Sequence, residues 1–132
     1  MRKRVDERPV AGFNLVASID GEGLALHYDG ALRPVPFGPG GHVISSDRDL
    51  DDPAMPEKRL FDRTFGPGRP EEAAILRYLA SHEGDRPVCK HDDRFGTVSS
   101  TLYVGGAPPR LLHAPGPPCR TAFAETATSS VP

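Results

Sequence analysis

The chain has 132 residues, enough for one domain with a single core if most of it is ordered. Its 16 basic and 18 acidic residues give a net charge of −2, which offers no electrostatic attraction to nucleic acid or to anionic membranes. The 14 glycines and 15 prolines predict short elements joined by many loops, and no apolar run reaches the roughly 20 residues that a membrane-spanning helix needs.

Residues 1–8 are predicted to form a charged N-terminal arm. Met1–Arg4 is basic like the start of a secretory signal, but the residues that follow are charged and not apolar. The sequence therefore predicts no secretion by that route and, by default, a cytoplasmic location. In that compartment Cys89 and Cys119 are expected to be thiols, and two distant cysteines do not define a disulfide framework.

A strand–turn–strand pattern follows the arm. Residues that favour extended backbone predict a first strand over Phe13–Ile19, and Asp20–Gly23 is a strong turn signal. Leu24–Tyr28 is the expected partner strand of this hairpin. The apolar residues expected on one face of the first strand are Leu15, Ala17 and Ile19.

Two further extended segments complete the first third of the chain. Leu32–Phe37 contains Pro34 and Pro36, which cannot donate to a strand ladder, so this segment is predicted to be an edge strand or a loop. After the glycine-rich residues 38–41, the apolar run His42–Ser45 predicts a short strand.

Helical signals then replace the strand pattern. Asp52 followed by proline predicts a short helix over about Ala54–Asp62. A clearer helix starts at Pro70, with acidic residues in its first turn, and ends at His82–Gly84. Its apolar stripe consists of Ala73, Ile75, Leu76, Leu79 and Ala80.

The last hairpin is predicted from Arg94–Val104 and Arg110–His113, joined by a longer loop. The first of these segments opens with a turn at Gly96 and carries an unusual number of hydroxyl side chains. From Thr121 on the chain shows no periodicity, and residues 124–132 are predicted to be a disordered tail. The whole pattern predicts an α+β fold with an antiparallel sheet and one or two helices.

Two groups of side chains, one acidic and one made of cysteine and histidine, are candidates for ion-binding sites. An EF-hand loop that starts at Asp47 would need glycine at its sixth position and glutamate at its twelfth, where the chain has Asp52 and Lys58. Cys89 and His91 are competent zinc ligands, but a zinc site needs about four ligands and a second pair is not evident. A composite site with His113 and Cys119 is the open alternative, and the remaining histidines (His27, His42 and His82) are expected to be ordinary residues. The sequence therefore predicts no metal site.

Nucleophilic catalysis would have to use Ser99 or Ser100, with His91 or His113 as the base. Neither serine lies in a Gly-x-Ser-x-Gly elbow, and paired hydroxyls in strands are typical of cross-strand contacts. Residues 38–41 lack the lysine and hydroxyl residue that end a phosphate-binding loop. The sequence predicts neither a catalytic serine nor a nucleotide site.

Three stretches in this order resemble the C-terminal half of the NRDE family, the group that includes the transport and Golgi organisation protein two. They are Gly12–Leu15, His42–Arg59 with its Ser-Ser-Asp-Arg-Asp run, and Arg94–Thr101. The resemblance covers residues 9–123, which are interpreted as a partial NRDE-type domain. It implies part of a sandwich similar to N-terminal-nucleophile hydrolases.

The resemblance also implies what is missing. A cysteine after the initiator methionine would be the nucleophile in such a fold, but this chain has Arg2, and the Asn-Arg-Asp-Glu tetrapeptide is absent. The expected function is thus that of a non-catalytic partial domain, which needs a missing N-terminal half or associates with itself. The alternatives are an amide hydrolase, and a haem or metal binder that uses Cys89, His91, His113 or Cys119, with haem suggested by the family resemblance only. The candidate ligand-binding residues are Asn14, Ser46, Asp47, Arg48, Lys58, Arg94, Ser99 and Ser100.

Overall fold

The computed structural model describes residues 11–45 and 48–126, and these contain two helices and six strands. The chain divides into two compact units, with the division between Lys58 and Arg59. Each unit holds one three-stranded antiparallel sheet, so the predicted α+β class is confirmed. The elements in order are β1 (Phe13–Ile19), β2 (Glu22–Tyr28), β3 (Leu32–Phe37), α1 (Pro56–Phe65), α2 (Glu72–Leu79), β4 (Ser100–Val104), β5 (Arg110–Ala114) and β6 (Ala124–Thr126).

The first sheet is a meander in the order β1-β2-β3. A two-residue turn joins β1 to β2, and Asp20 and Gly21 both have positive φ there (53° and 82°), which matches the right-handed twist of a hairpin. β2 begins at Glu22, two residues before the predicted start, because the turn is this tight. β3 lies at the sheet edge, as its prolines predicted.

One face of the first sheet is apolar and exposed. The register places Leu15 opposite Leu26 and Ala17 opposite Leu24, so the predicted face of β1 continues onto β2. Leu15 is 54% exposed, however, and Ile19 is 78% exposed. The buried side chains of β2 are Ala25 and His27, which point to the opposite face. The alternation was predicted correctly, but the larger apolar residues line the exposed side.

The strand predicted at His42–Ser45 is a loop, and this prediction was wrong. Ser45 makes an isolated bridge to Arg48, and no ladder forms among the described residues of this segment. The carboxylate of Asp51 accepts the backbone N–H of Val43 at 2.9 Å, and the N–H of Asp51 donates to the Val43 carbonyl at 2.9 Å. These two bonds satisfy the N–H and the carbonyl of Val43, which a strand ladder would otherwise have paired.

Helix α1 begins at Pro56, later than the predicted Ala54, and ends at Phe65. Proline fits the first helical position because its missing N–H has no partner in the helix there. Asp52 stabilises the turn before α1 and does not cap the helix. Its side-chain Oδ1 accepts the N–H of Ala54 at 2.8 Å, and its backbone carbonyl accepts the N–H of Met55 at 2.9 Å.

Helix α2 is shorter than predicted and ends at Leu79, so His82 lies outside it. Three aromatic rings join the second half of α1 to α2. The ring of Tyr78 lies edge-on to Phe61 and Phe65, with centroids 5.8 and 5.1 Å away. Edge-to-face pairs of this kind add to the free energy of apolar burial.

The second sheet has the order β4-β5-β6 and contributes the buried side chains of Leu112 and Ala114. Its first strand begins only at Ser100, later than predicted. Ala124–Thr126 were assigned to the disordered tail, but they form β6 and pair with β5. The rest of that tail (127–132) and the predicted N-terminal arm (1–8) lie outside the described residues.

Arg110 connects three elements of the second unit through its guanidinium. It donates to both oxygens of Glu72 in α2, at 2.8 and 3.3 Å, and to both oxygens of Glu125 in β6, at 3.1 Å each. Hydrogen bonding to Arg110 lowers the pKa of Glu125, and the two carboxylates raise the pKa of Arg110. Within residues 11–45 and 48–126, no helix has the length and apolar character needed to cross a membrane.

Candidate metal centre

Four side chains with metal-binding atoms converge in the second unit. They are His82, Cys89, His91 and Cys119, and their ligand atoms all lie within 4.8 Å of one another. The Nε2 atom of His91 is 3.0 Å from the sulfur of Cys119 and 3.6 Å from the sulfur of Cys89. The rings of His82 and His91 meet edge to face, with centroids 5.1 Å apart.

A single backbone hydrogen bond brings the first two ligands together. After α2 ends, the carbonyl of Ser81 accepts the N–H of Cys89 at 3.0 Å. This bond closes the loop between them and sets His82 beside Cys89. Cys89 is completely buried, whereas His82 remains exposed. The loop therefore presents one ligand from the interior and one from the surface.

Thr97 fixes the backbone on both sides of Cys89. Its hydroxyl accepts the N–H of Lys90 at 2.9 Å and donates to the carbonyl of Val88 at 3.4 Å. Its own N–H donates to the carbonyl of Lys90 at 2.9 Å. Thr97 is predicted to lie in a strand, but in the structure it instead holds the backbone of residues 88–90 in place through these three hydrogen bonds.

A tight turn follows His91 and holds its orientation. His91 forms an isolated bridge with Gly96, and the carboxylate of Asp92 accepts the N–H groups of Arg94 and Phe95, at 2.9 and 2.6 Å. These backbone hydrogen bonds lower the pKa of Asp92. Cys89, His91 and this turn thus form one compact hairpin-like unit.

The fourth ligand, Cys119, comes from the connection between β5 and β6. The N–H groups of Arg120 and Thr121 both donate to the carbonyl of Pro117 at 2.9 Å, which wraps the turn around Cys119. A Cβ at Gly116 would collide with the hydroxyl of Thr121, so a larger residue at the start of this turn would require the Thr121 side chain to move.

One thiol of the cluster has a shifted pKa. Burial raises the pKa of the Cys119 thiol, and the hydrogen bond that this thiol donates to the sulfur of Cys89 raises it further, whereas the Arg120 cation acts in the opposite direction. Both cysteines are free thiols. A metal ion that binds thiolates would take the place of their protons.

The donor set and spacing match a tetrahedral ion. Zinc–sulfur bonds are about 2.3 Å long and zinc–nitrogen bonds about 2.0 Å long. The ligand atoms of a tetrahedral zinc site therefore lie roughly 3.3–3.8 Å apart. The two distances from His91 Nε2, 3.0 and 3.6 Å, are close to this range, and no separation in the cluster exceeds 4.8 Å.

The sequence predicts no metal site, although Cys89 and His91 are evident as a pair of possible ligands. A composite site with His113 and Cys119 is the open alternative there, and His82 is expected to be an ordinary residue. His113 lies instead in β5, where its Nδ1 is 2.9 Å from the hydroxyl of Thr101, its cross-strand partner. The presence of His82 seven residues before Cys89 was the signal that could have completed the set.

The two serines considered as nucleophiles lack a base in the described structure. Ser100 is the first residue of β4 and pairs with Ala114, and Ser99 precedes it outside the strand. Of the two candidate bases, His91 contacts the cysteine sulfurs and His113 contacts Thr101. The geometry offers no serine–histidine pair at this strand.

The predicted ligand-binding residues are divided between the two units. Asn14, Arg48 and Lys58 belong to the first unit, whereas Arg94, Ser99 and Ser100 belong to the second. Ser46 and Asp47 lie outside the described residues.

Asn14 has a structural role within its own unit. Its amide nitrogen donates to the carbonyl of Ser45 at 2.8 Å, so its oxygen is the acceptor for Nδ1 of the buried His27 at 2.5 Å. Arg48 also makes a contact within the first unit, because its guanidinium lies 3.5 Å from the carboxylate of Asp52.

Comparisons of this chain with known proteins identify no relative. No protein-family model matches the chain, and neither a curated protein nor a solved structure matches it. The resemblance to the NRDE family therefore stays a prediction, and the arrangement of the chain's own residues carries the functional argument.

Proposed function

We propose that this chain is a non-catalytic zinc-binding domain whose metal centre consists of His82, Cys89, His91 and Cys119. The observation that carries the proposal is the convergence of these four ligand atoms within 4.8 Å. They come from two separate connections, one after α2 and one between β5 and β6, so the bound ion would tie distant parts of the second unit together.

The chemistry of the donors favours zinc. Two thiolates and two imidazoles form the donor set of many structural zinc sites, and zinc accepts a tetrahedral arrangement without a redox change. Haem is disfavoured because its iron takes axial ligands from opposite faces of a flat ring, whereas these four atoms crowd around one point. The cluster thus supports a metal ion over the haem alternative.

A structural role fits better than a catalytic one. Four protein ligands fill a tetrahedral shell and leave no position for water or substrate. The amide-hydrolase alternative has only Cys89 and Cys119 as nucleophilic thiols, and both lie in the cluster. Thiols in the cytoplasm, the proposed location, stay reduced and able to bind metal. The proposal is compatible with a partial NRDE-type domain that has no activity of its own.

Metal analysis of the purified full chain tests the proposal. Protein prepared under reducing conditions with zinc should contain one zinc ion per chain, and cobalt substitution should give visible absorption bands of tetrahedral thiolate–imidazole coordination. Cys89→Ala should abolish both signals. His113→Gln is the matched control, since His113 lies in the same unit but contacts Thr101, and it should retain full zinc content.

A zinc content far below one ion per chain after reconstitution would contradict the proposal. So would cobalt spectra of an octahedral type without thiolate charge-transfer bands. Equal loss of metal in Cys89→Ala and His113→Gln would point to a general loss of folding and would also remove the support for this centre.

A further inference from the structure

We infer that the same centre is redox-labile: a hydroperoxide converts Cys89 and Cys119 to a disulfide and thereby releases the metal. This inference rests on the proposed zinc site and adds its regulation. Three observations support it: the proximity of the two sulfurs, their different exposure, and the dependence of the centre on both.

The two sulfurs are close enough to react with modest movement. Both are ligand atoms of a cluster in which no separation exceeds 4.8 Å, and both contact Nε2 of His91. A disulfide requires the sulfurs to approach to about 2.05 Å. These are also the two cysteines of the whole chain, so no other intramolecular disulfide competes.

The difference in exposure assigns a role to each thiol. Cys119 is partly accessible in its turn, whereas Cys89 is completely buried. A hydroperoxide in solvent therefore reaches Cys119 first, and Cys89 is positioned behind it as the resolving thiol.

The chemistry balances in two steps. In the zinc-bound chain both sulfurs are thiolates. The sulfur of Cys119 attacks the peroxide, an S–O bond forms as the O–O bond breaks, and the departing alkoxide takes a proton from water to leave as an alcohol. The sulfur of Cys89 then attacks the sulfenic acid, the S–S bond forms as the S–O bond breaks, and the departing hydroxide takes a second proton from solvent to leave as water. Two thiolates are oxidised and one hydroperoxide is reduced.

The composition of the centre explains why the metal would leave. Disulfide formation removes both anionic ligands at once. The two remaining ligands, His82 and His91, are neutral imidazoles on exposed residues. Two such ligands fall short of the four that a structural zinc site requires.

Peroxide treatment of the zinc-loaded chain tests this inference. With tert-butyl hydroperoxide we expect one zinc ion to be released for each pair of thiols lost, and the protein mass to fall by about 2 Da, the two hydrogens removed by disulfide formation. Dithiothreitol should restore the thiols and zinc binding. Cys119→Ser should show no such mass loss, whereas His113→Gln should behave like the unchanged chain.

The outcomes separate this inference from the proposed function. A chain that binds zinc and keeps both zinc and thiols under peroxide would overturn the redox inference alone. Zinc release with a mass gain from oxygen addition, and without a disulfide, would overturn it as well. A chain that never binds zinc would overturn the proposed function, and the mass of the metal-free protein after peroxide would still report whether the two cysteines join.

Discussion

The sheets of the two units differ in how far they bury their apolar side chains. The first unit leaves large apolar residues such as Leu15 and Ile19 exposed on its sheet. The second unit buries Leu112, Ala114 and Cys89 and arranges four ligand atoms beside them. Small domains have too little core to be stable by burial alone and often use a metal as a cross-link. The proposed zinc ion would give the second unit such a cross-link, whereas the apolar face of the first sheet is exposed among the described residues.

The largest expected effect is the loss of a metal ligand in the second unit. Cys89→Ala should weaken zinc binding by at least about 100-fold, since removal of residues that merely orient ligands already costs 10–100-fold. Competition with a zinc-binding dye measures the affinity, and His113→Gln should leave it unchanged. If Cys89→Ala binds zinc almost as tightly as the original chain, the metal does not bind at Cys89, and the proposed difference between the two units is wrong.

Truncation of one apolar residue in each unit tests the contrast in burial directly. Leu112→Ala should lower the free energy of unfolding by about 2–5 kcal/mol, because Leu112 is only 7% exposed. Ile19→Ala should change it by no more than about 0.5 kcal/mol, because Ile19 is 78% exposed. Urea unfolding of both variants gives the comparison. Equal destabilisation would mean that the exposed sheet face is covered in solution, and sedimentation would then show whether a second copy covers it.

The turn that presents Cys119 offers a smaller perturbation. Gly116→Ala should weaken zinc binding by about 10-fold, comparable to the loss of an orienting group, because the added methyl displaces Thr121 and shifts the turn. Gly68→Ala is the matched control, since a methyl there meets no atom within 4 Å. If both variants bind zinc equally well, the position of Cys119 does not depend on this turn.

The smallest effect concerns pH and the first unit. The hydrogen bond from His42 to Asp51, 2.6 Å long, raises the pKa of His42, and a second bond to the Gly38 carbonyl acts in the same direction. A raised pKa means that the charged form stabilises the fold. The contribution, at most about 1 kcal/mol, should be complete below pH 6.5 and disappear as the pH rises through the folded-state pKa.

His42→Gln makes that contribution measurable. The free energy of unfolding of the original chain and of this variant is measured from pH 5.5 to 9, at intervals of about 0.5 pH unit. The difference between the two should shrink as the pH rises, because a histidine with a raised pKa loses its proton in this range. A difference that grows with pH would contradict the assignment of His42 as the charged partner of Asp51.

Local signals predicted most of the fold, and they failed where side chains compete with the backbone. The turn at Asp20–Gly23 and the prolines of β3 were interpreted correctly, because turn geometry and missing N–H groups act within a few residues. The strand predicted at His42–Ser45 is absent, and the carboxylate of Asp51 instead accepts the backbone N–H of Val43 in the middle of this segment. β6 was missed because three residues without a pattern gain their structure only from pairing with β5.

The candidate site was less accessible to sequence reasoning. The pair Cys89 and His91 was evident from its spacing, but His91 and Cys119 are 28 residues apart, and no local pattern states that they meet. Nor could the sequence choose between His82 and His113, because both are histidines near the cysteines in the chain. The fold decided this choice by placing His113 in the second sheet opposite Thr101.

The sequence by itself determined the α+β class, the first hairpin, the exclusion of β3 from the middle of a sheet, and the presence of two thiols and several imidazoles. The tertiary structure alone decided which of these groups form a centre. The physical reason is range: backbone preferences act between neighbours, whereas a four-ligand site depends on the hydrogen bond from Cys89 to Ser81, the hydrogen bonds of Thr97 and the turn after Gly116. These contacts bring together side chains that the sequence keeps apart.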